Sequence, residues 1–177
     1  MHAATLSLPV GVTAVSELDF ASFYEANVGQ LVGSFTATLG DPVLAQDAAH
    51  EAMTRACQHW AKVSGYRNPF GWCYRVGLNW STSRWRKRRR EVTTGTFTFE
   101  PSMFDGERID ESVVQALLKL PIDQRAVVVL RIWMDWSIAD TAEALGIAEG
   151  TVRSRLSRAL ERLRTLLGEP STGGDDD

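Results

Sequence analysis

The stretch GLNWSTSRWRKRRR, residues 77–90, places six basic side chains among its last seven residues and sets Trp80 and Trp85 between polar and basic neighbours. Cations at that density neutralise phosphates, and flat rings offer faces on which an unstacked base can lie. A second constellation, EGTVRSRLSRALER, begins at Glu149. At about 100° per residue on a helix, Thr151, Ser154, Arg155 and Arg158 share one side. Arginine reads guanine through two hydrogen bonds and serine contacts a base edge or a phosphate, so these residue types suit a DNA groove. Catalytic chemistry finds no comparable support. The histidines are His2, His50 and His59, HEAMT lacks the second histidine of a zinc-protease helix, and neither a phosphate-cradling glycine loop nor a catalytic carboxylate arrangement is present. The expectation is a protein that is not an enzyme, with no metal and no cofactor.

The whole chain of 177 residues carries a net charge of −3, so bulk charge does not point to nucleic acid. The distribution does. Ala52 to Arg90 contains no Asp or Glu but ten basic residues, whereas Glu91 to Glu111 holds six acidic residues against Arg108 alone. Gly150 to Gly168 then sets five arginines against Glu161, and the chain ends in Glu169 and Asp175 to Asp177. Two basic patches separated by an acidic linker are what two surfaces meeting a polyanion require. The N-terminal segment does not resemble a secretory signal and no stretch has the length of a membrane span, so a cytoplasmic location without membrane insertion is expected. Cys57 and Cys73 lie in helical patterns without metal-site spacing and are expected as buried, reduced thiols.

Helices must position these groups. Apolar residues at Phe20, Phe23/Tyr24, Val28, Leu31/Val32 and Phe35 predict one helix ending at Gly40. Asp41-Pro42 supplies a cap and first-turn proline for a second helix, which buries Ala45, Ala49, Ala52/Met53, Ala56/Cys57 and Trp60. Its other side, Asp47, His50/Glu51, Thr54 and Gln58, reads as an ordinary solvated face. After KVSGYRNP, a third helix repeats Trp72, Val76 and Trp80 and carries the basic run; Trp72, Tyr74 and Trp80 are expected to be mainly structural. Ile109 to Leu120 is a short helix stopped by Pro121, and the run Val127 to Val129 is read as helix because no second strand exists to pair with it.

From Ser137 the chain reads SIADTAEALGIAEGTVRSRLSRALERLRTLL. Ser137 and Asp140 form a capping box, Gly146 a turn, and Val152, Leu156, Leu160, Leu163 and Leu167 the buried stripe of a second helix. Ala142, Gly146 and Val152 have the small, turn and core spacing of a helix-turn-helix. The fold class is all-α: two small helical domains joined by a flexible acidic linker, the second containing the helix-turn-helix. Their expected bounds are 19–91 and 109–168, with an N-terminal extension 1–18, a linker 92–108 and an acidic tail 169–177.

DPVLAQDAAHEAMTRACQHW, NPFGWCYRVGLNWSTSRWRKRRR and LKLPIDQRAVVVLRIWMDWSIADTAEALGIAEGTVRSRLSRALERLR, in that order, resemble the extracytoplasmic-function sigma factors of the sigma-70 superfamily. The resemblance implies a promoter-recognition subunit of bacterial RNA polymerase. Asp47, His50 and Glu51 would face the clamp helices of the largest core polymerase subunit, with His50 standing where glutamine is common. The loop Gly65 to Phe70 and Asn79 would line a pocket for a base flipped from promoter DNA: Asn79 for its edge, Tyr66 as a wall, and Asn68 in the loop. Arg67 and the run containing Arg84, Arg86 and Arg88 would grip the backbone beside the melted segment. The same resemblance adds Arg153 and Ser157 to the upstream reading face, and implies an anti-sigma factor as a further partner. Ala148 departs from the residue that usually caps the reading helix.

Two other classes fit parts of the sequence. A stand-alone regulator would use the helix-turn-helix but not the first domain's polar and basic faces. A sigma-like decoy that sequesters an anti-sigma factor would not need arginines on both DNA surfaces.

Overall fold

The computed structural model describes residues 11–91 and 110–168, with side chains placed for 19–84 and 110–168. The expected linker, the acidic tail and residues 1–10 lie outside the described residues. Those described are helical with no strand, in agreement with the all-α reading.

Helix α1 (Gly11–Leu39) starts ahead of the apolar repeat and ends at Gly40, whose φ of 71° lies in the left-handed region. A Cβ there would come within 2.6 Å of Leu118 Cδ2, so this glycine answers both a turn and a close approach. α2 (Pro42–Gln58) begins as its sequence predicts, with the Asp41 carboxylate accepting from the Val43 and Leu44 N–H groups at 3.0 Å each. Such a cap contributes about 1 kcal/mol. A one-turn α3 (Trp60–Val63) follows, then α4 (Pro69–Glu91), whose first turn is closed by Asn68 accepting from the Gly71 N–H at 2.8 Å.

The small residues of α2, Ala45, Ala48, Ala49, Ala52 and Ala56, are fully buried and let α1 and α4 approach closely on either side. Cys57, expected in the same buried stripe, is instead exposed. The row Ala45, Ala48/Ala49, Ala52, Ala56 fills the inward face, and position 57 turns off its edge. Phe20 and Phe23 close one end of this core on Trp60, with ring centroids 5.3 and 4.8 Å away. At its centre Phe35 stacks on Tyr74 at 5.1 Å, and the Tyr74 hydroxyl hydrogen-bonds Thr38 Oγ1 at 2.6 Å.

The second half starts with α5 (Glu111–Leu118), capped by Asp110, followed by α6 (Ile122–Val128) and a π-helical turn, Val129–Trp133. The valine run is therefore helical, as read, with a wider turn at its end. The Met134 N–H donates to the Val129 carbonyl at 3.0 Å, and Asp135 takes a positive φ of 50° as the chain leaves. α7 (Ile138–Leu145) is capped by Ser137, which accepts from the Asp140 N–H at 3.0 Å. Gly146, with φ 66°, turns the chain into α8 (Glu149–Leu167). Ala148 precedes α8 without any side-chain cap, the expected consequence of that departure. α8 buries Val152 and Ala159 with Leu156 and Leu163 beside them, whereas Leu167 is exposed along an open apolar groove that it lines with Val113, Leu117 and Ile132.

The halves share a core. Leu130 and Ala144 are buried among α1, α2 and α4 residues, and Trp136 meets Phe70 edge-on at 5.8 Å. Arg125 is buried and donates to the Thr38 carbonyl at 2.9 Å across the junction, and to the Leu118 and Leu120 carbonyls at 2.5 and 2.9 Å on its own side. Burial holds this guanidinium below its usual pKa range, and three carbonyls compensate its lost hydration.

Candidate nucleic-acid and polymerase interfaces

Three surfaces carry the predicted residues. On α8, Arg153, Ser154, Ser157 and Arg158 are exposed, while Thr151 and Arg155 are half-buried. Two of the arginines are already engaged: Arg153 Nη2 lies 2.9 Å from Glu149, one turn back, and Arg155 Nε 3.2 Å from Asp123 on α6. Ser154 Oγ donates to the Thr151 carbonyl at 3.1 Å, which leaves its lone pairs outward. Ser154 and Arg158 are thus the better presented members, and Arg155 braces α8 on α6.

On α4, Tyr66, Asn68 and Asn79 come together as expected, in a cleft of about 430 Å³. The sequence reading missed four further lining residues on α4, Gly71, Trp72, Arg75 and Val76. Trp72 and Val76 were absorbed into the core stripe, although both are only half-buried. Tyr66 and Trp72 stand 6.4 Å apart between ring centroids and form an aromatic wall. Asn79 is exposed, whereas Asn68 spends its oxygen on the α4 cap. Arg84 lies over Trp80 at 4.8 Å, a cation–π contact that leaves the guanidinium at the surface. Arg86 and Arg88 continue the helix, and their side chains fall outside the described set.

Arg67 is exposed but already ion-paired. Its Nη1 is 2.7 Å from Asp140 Oδ1 and its Nη2 bonds Glu143, both on α7. The Glu143 and Asp140 carboxylates hold its pKa above the ordinary value, and the Asp140 carboxyl is held low by the Ser137 hydroxyl and then by Arg67. α7 also supplies Glu143 and Ala144 to the lining of the cleft. That acidic wall was not legible in the sequence, because the capping box accounted for Asp140 and nothing marked Glu143.

On α2, Asp47 and His50 are exposed side by side along the helix, and Glu51 is half-exposed and paired with Arg55 at 2.7 Å. No group of His, Cys, Asp and Glu able to hold a metal occurs among the described residues, and none of their helices is long and apolar enough to cross a membrane.

Residues 23–91 match the Sigma-70 region 2 family and residues 110–163 match Sigma-70, region 4. The chain is 36% identical over 153 residues to an RNA polymerase sigma-E factor of Streptomyces coelicolor, spanning 85% of this chain and 86% of that one. It is 35% identical over 131 residues to the ECF RNA polymerase sigma factor SigM of Mycobacterium tuberculosis, spanning 73% of this chain and 67% of the relative. Among solved structures, the sigma factor RpoE in co-crystals with the anti-sigma factor NepR from Bartonella quintana superposes with a TM-score of 0.71 at 27% identity, covering 85% of this chain and 98% of that chain. With both regions matched in order, and a helix-turn-helix built inside the second, the chain belongs to the sigma-70 family, in its extracytoplasmic-function branch.

Proposed function

We propose that this chain is an alternative sigma factor that binds bacterial core RNA polymerase in the cytoplasm, recognises two promoter elements and starts transcription. Residues 19–91 form the polymerase-binding and melting domain and residues 109–168 the upstream-reading domain, joined by the linker 92–108. Asp47, His50 and Glu51 dock on the polymerase. Tyr66, Arg67, Asn68 and Asn79, joined by Trp72 and Arg75, receive a flipped base and its backbone, and Arg84, Arg86 and Arg88 grip phosphates beside it. Thr151, Arg153, Ser154, Arg155, Ser157 and Arg158 form the upstream reading face, in which Ser154 and Arg158 contact bases. An anti-sigma factor is the expected inhibitory partner, in keeping with RpoE, whose solved form contains one.

The observation that carries this reading is the coexistence, on one short chain, of a helix-turn-helix and an aromatic, amide-lined and arginine-flanked cleft on a separate helix. A duplex-binding regulator needs only the first. Run-off transcription with purified core polymerase on genomic fragments tests it: new start sites sharing paired upstream and start-proximal motifs are expected. Duplex binding without polymerase and no new starts would favour the stand-alone regulator. Loss of both would favour the decoy.

A further inference from the structure

The outward side of α8 changes character along its length. Toward its N-terminal end, Arg153 and Arg155 are neutralised by Glu149 and Asp123. Toward its C-terminal end, Arg158 and Arg162 are exposed one turn apart, and neither is in an ion pair among the described residues. Lys119, exposed in the turn between α5 and α6 and likewise unpaired among them, joins the two arginines around an open notch of about 540 Å³. Glu161 also lines the notch but pairs with none of the three. Like charges one turn apart repel, so three uncompensated cations converging from two elements mark a place for an anion supplied from outside.

The turn that carries Lys119 is fixed against α8. Buried Arg125 donates to the carbonyls on both sides of the lysine, Leu118 at 2.5 Å and Leu120 at 2.9 Å. Leu120 is 2% exposed and packs with Ala159, Leu156 and Leu163 of α8, and Pro121 restricts the next φ. Geometry then selects the anion. At about 100° per residue, Arg162 falls about 20° from Thr151, inside the arc of Thr151, Ser154, Arg155 and Arg158. At about 1.5 Å of rise per residue it stands about 16 Å further along the axis than Thr151. A major groove is about 8.5 Å deep. With the N-terminal end of α8 in that groove, Arg162 has left the base edges and meets the rim, where the sugar-phosphate backbone runs. An acidic peptide would match the charges, but nothing would place it in line with a base-reading arc.

We propose that Lys119 and Arg162 form a phosphate clamp on the upstream duplex, holding two neighbouring phosphates at the rim of the groove while Ser154 and Arg158 contact bases inside it. The inference rests on the sigma reading for which DNA is bound, and adds two positioning residues to its upstream domain. Because the clamp spans α8 and the α5–α6 turn, backbone seated in it fixes both the depth to which α8 enters and the tilt at which it lies. Phosphate contacts set register and orientation and carry no sequence information themselves, so the clamp orients the reading face without reading.

The test is the double variant Lys119→Gln, Arg162→Gln in the full chain. Both side chains are exposed, and glutamine keeps a good helix propensity on α8. With core polymerase, on a promoter located by run-off mapping, the affinity of the complex is expected to fall at least fivefold at about 0.15 M salt. The slope of log K against log salt should shrink by about 2, roughly one for each lost phosphate contact. Base preference across a library of upstream elements should stay as it is in the wild type. Ethylation of phosphates at the outer edge of the upstream element should weaken the wild type and leave the double variant unaffected. The charge-conserving variant Lys119→Arg, Arg162→Lys should restore the slope. An unchanged slope, a loss of preference at one base position, or the same ethylation interference in wild type and double variant each overturns the clamp. The slope is also measured by fluorescence anisotropy on random-sequence duplex DNA without polymerase, so the two ideas fail separately. A wild-type chain that gives no transcripts defeats the sigma reading, and equal slopes of wild type and double variant on duplex DNA defeat the clamp.

Discussion

Glycine 77 sits inside α4, two residues before Asn79, at the point where α1 and α2 come closest to that helix. On intrinsic helix propensity alone Gly77→Ala stabilises by up to about 1 kcal/mol. The surroundings reverse the sign. A Cβ at this position would lie 2.4 and 2.7 Å from the Phe35 ring and 2.8 Å from the Ala48 carbonyl oxygen. Neither neighbour can yield cheaply, since Phe35 is fully buried and stacked on Tyr74 and the carbonyl belongs to the backbone of α2. Overpacking of this kind costs about 1–3 kcal/mol or more, so it wins, and Gly77→Ala should destabilise by about 1–3 kcal/mol net. Gly29 supplies the control: it lies in the middle of α1, is exposed, and an added Cβ meets nothing within 4 Å. There the same substitution should stabilise by about 0.5–1 kcal/mol. Urea midpoints and thermal melts of the two variants should move in opposite directions, by about 2–4 °C per kcal/mol for a chain of this size. A stabilised or unchanged Gly77→Ala would show that α4 is free to move off α1 and α2, and would refute the view that this close crossing fixes the helix presenting Asn79 and Arg84.

Three further outcomes follow from particular contacts. Tyr74→Phe strands the buried Thr38 hydroxyl at a cost of about 1–3 kcal/mol, whereas the double variant with Thr38→Val, which removes both polar groups, should recover part of that loss in a double-mutant cycle of urea unfolding. Cys73 is fully buried, with its thiol pushed up to about 12 by desolvation, while Cys57 is exposed, so Ellman's reagent at pH 8 should titrate one thiol in the native chain and two in denaturant. Because the Cys73 and Tyr74 values are both raised by burial, the stability they contribute is intact below their unfolded values and is lost as pH rises, first above about pH 8.5 where the unfolded thiol ionises. Ser154→Ala and Arg158→Ala should each relax base preference at one upstream position, with about 1–3 kcal/mol of discrimination lost at a bidentate contact, measured by run-off transcription over a promoter library.

Most helices were legible because their signals are local. Asp41-Pro42, Ser137 with Asp140, Gly146 and Pro121 each act on the few residues beside them, and each stands in the fold where its chemistry puts it. Helix α8 was legible for the same reason, through a 3.6-residue period that sends Val152 inward and Ser154 and Arg158 outward. What escaped depends on partners far along the chain. Periodicity assigned Cys57 and Leu167 to buried stripes, but burial at the edge of a stripe is decided by what packs against it, and both are exposed. The π turn after α6 escaped because its backbone departs from the regular period. The cleft was half legible: motif likeness found Tyr66, Asn68 and Asn79, while Trp72 and Arg75 joined it only once α4 had a neighbour on that side.

That neighbour raises the question of what holds the halves together, since both charge and apolar burial operate at the junction. Arg67, Asp140 and Glu143 are at the surface, and exposed ion pairs lose most of their attraction to water and salt. Leu130 and Ala144 are almost wholly buried, and Arg125 donates across the junction to the Thr38 carbonyl while the Leu118 and Leu120 carbonyls hold it on its own side. Burial and these internal bonds are largely insensitive to screening, so they should dominate the closed state, with the ion pairs setting its register. Small-angle scattering of the wild-type chain should then show the same radius of gyration at low salt and at about 1 M, where the Debye length falls to about 3 Å. Glu143→Gln should leave that radius unchanged, and Ala144→Arg should increase it. Expansion of the wild type at high salt would mean that the arginine and its two carboxylates, rather than the apolar contact, hold the halves together.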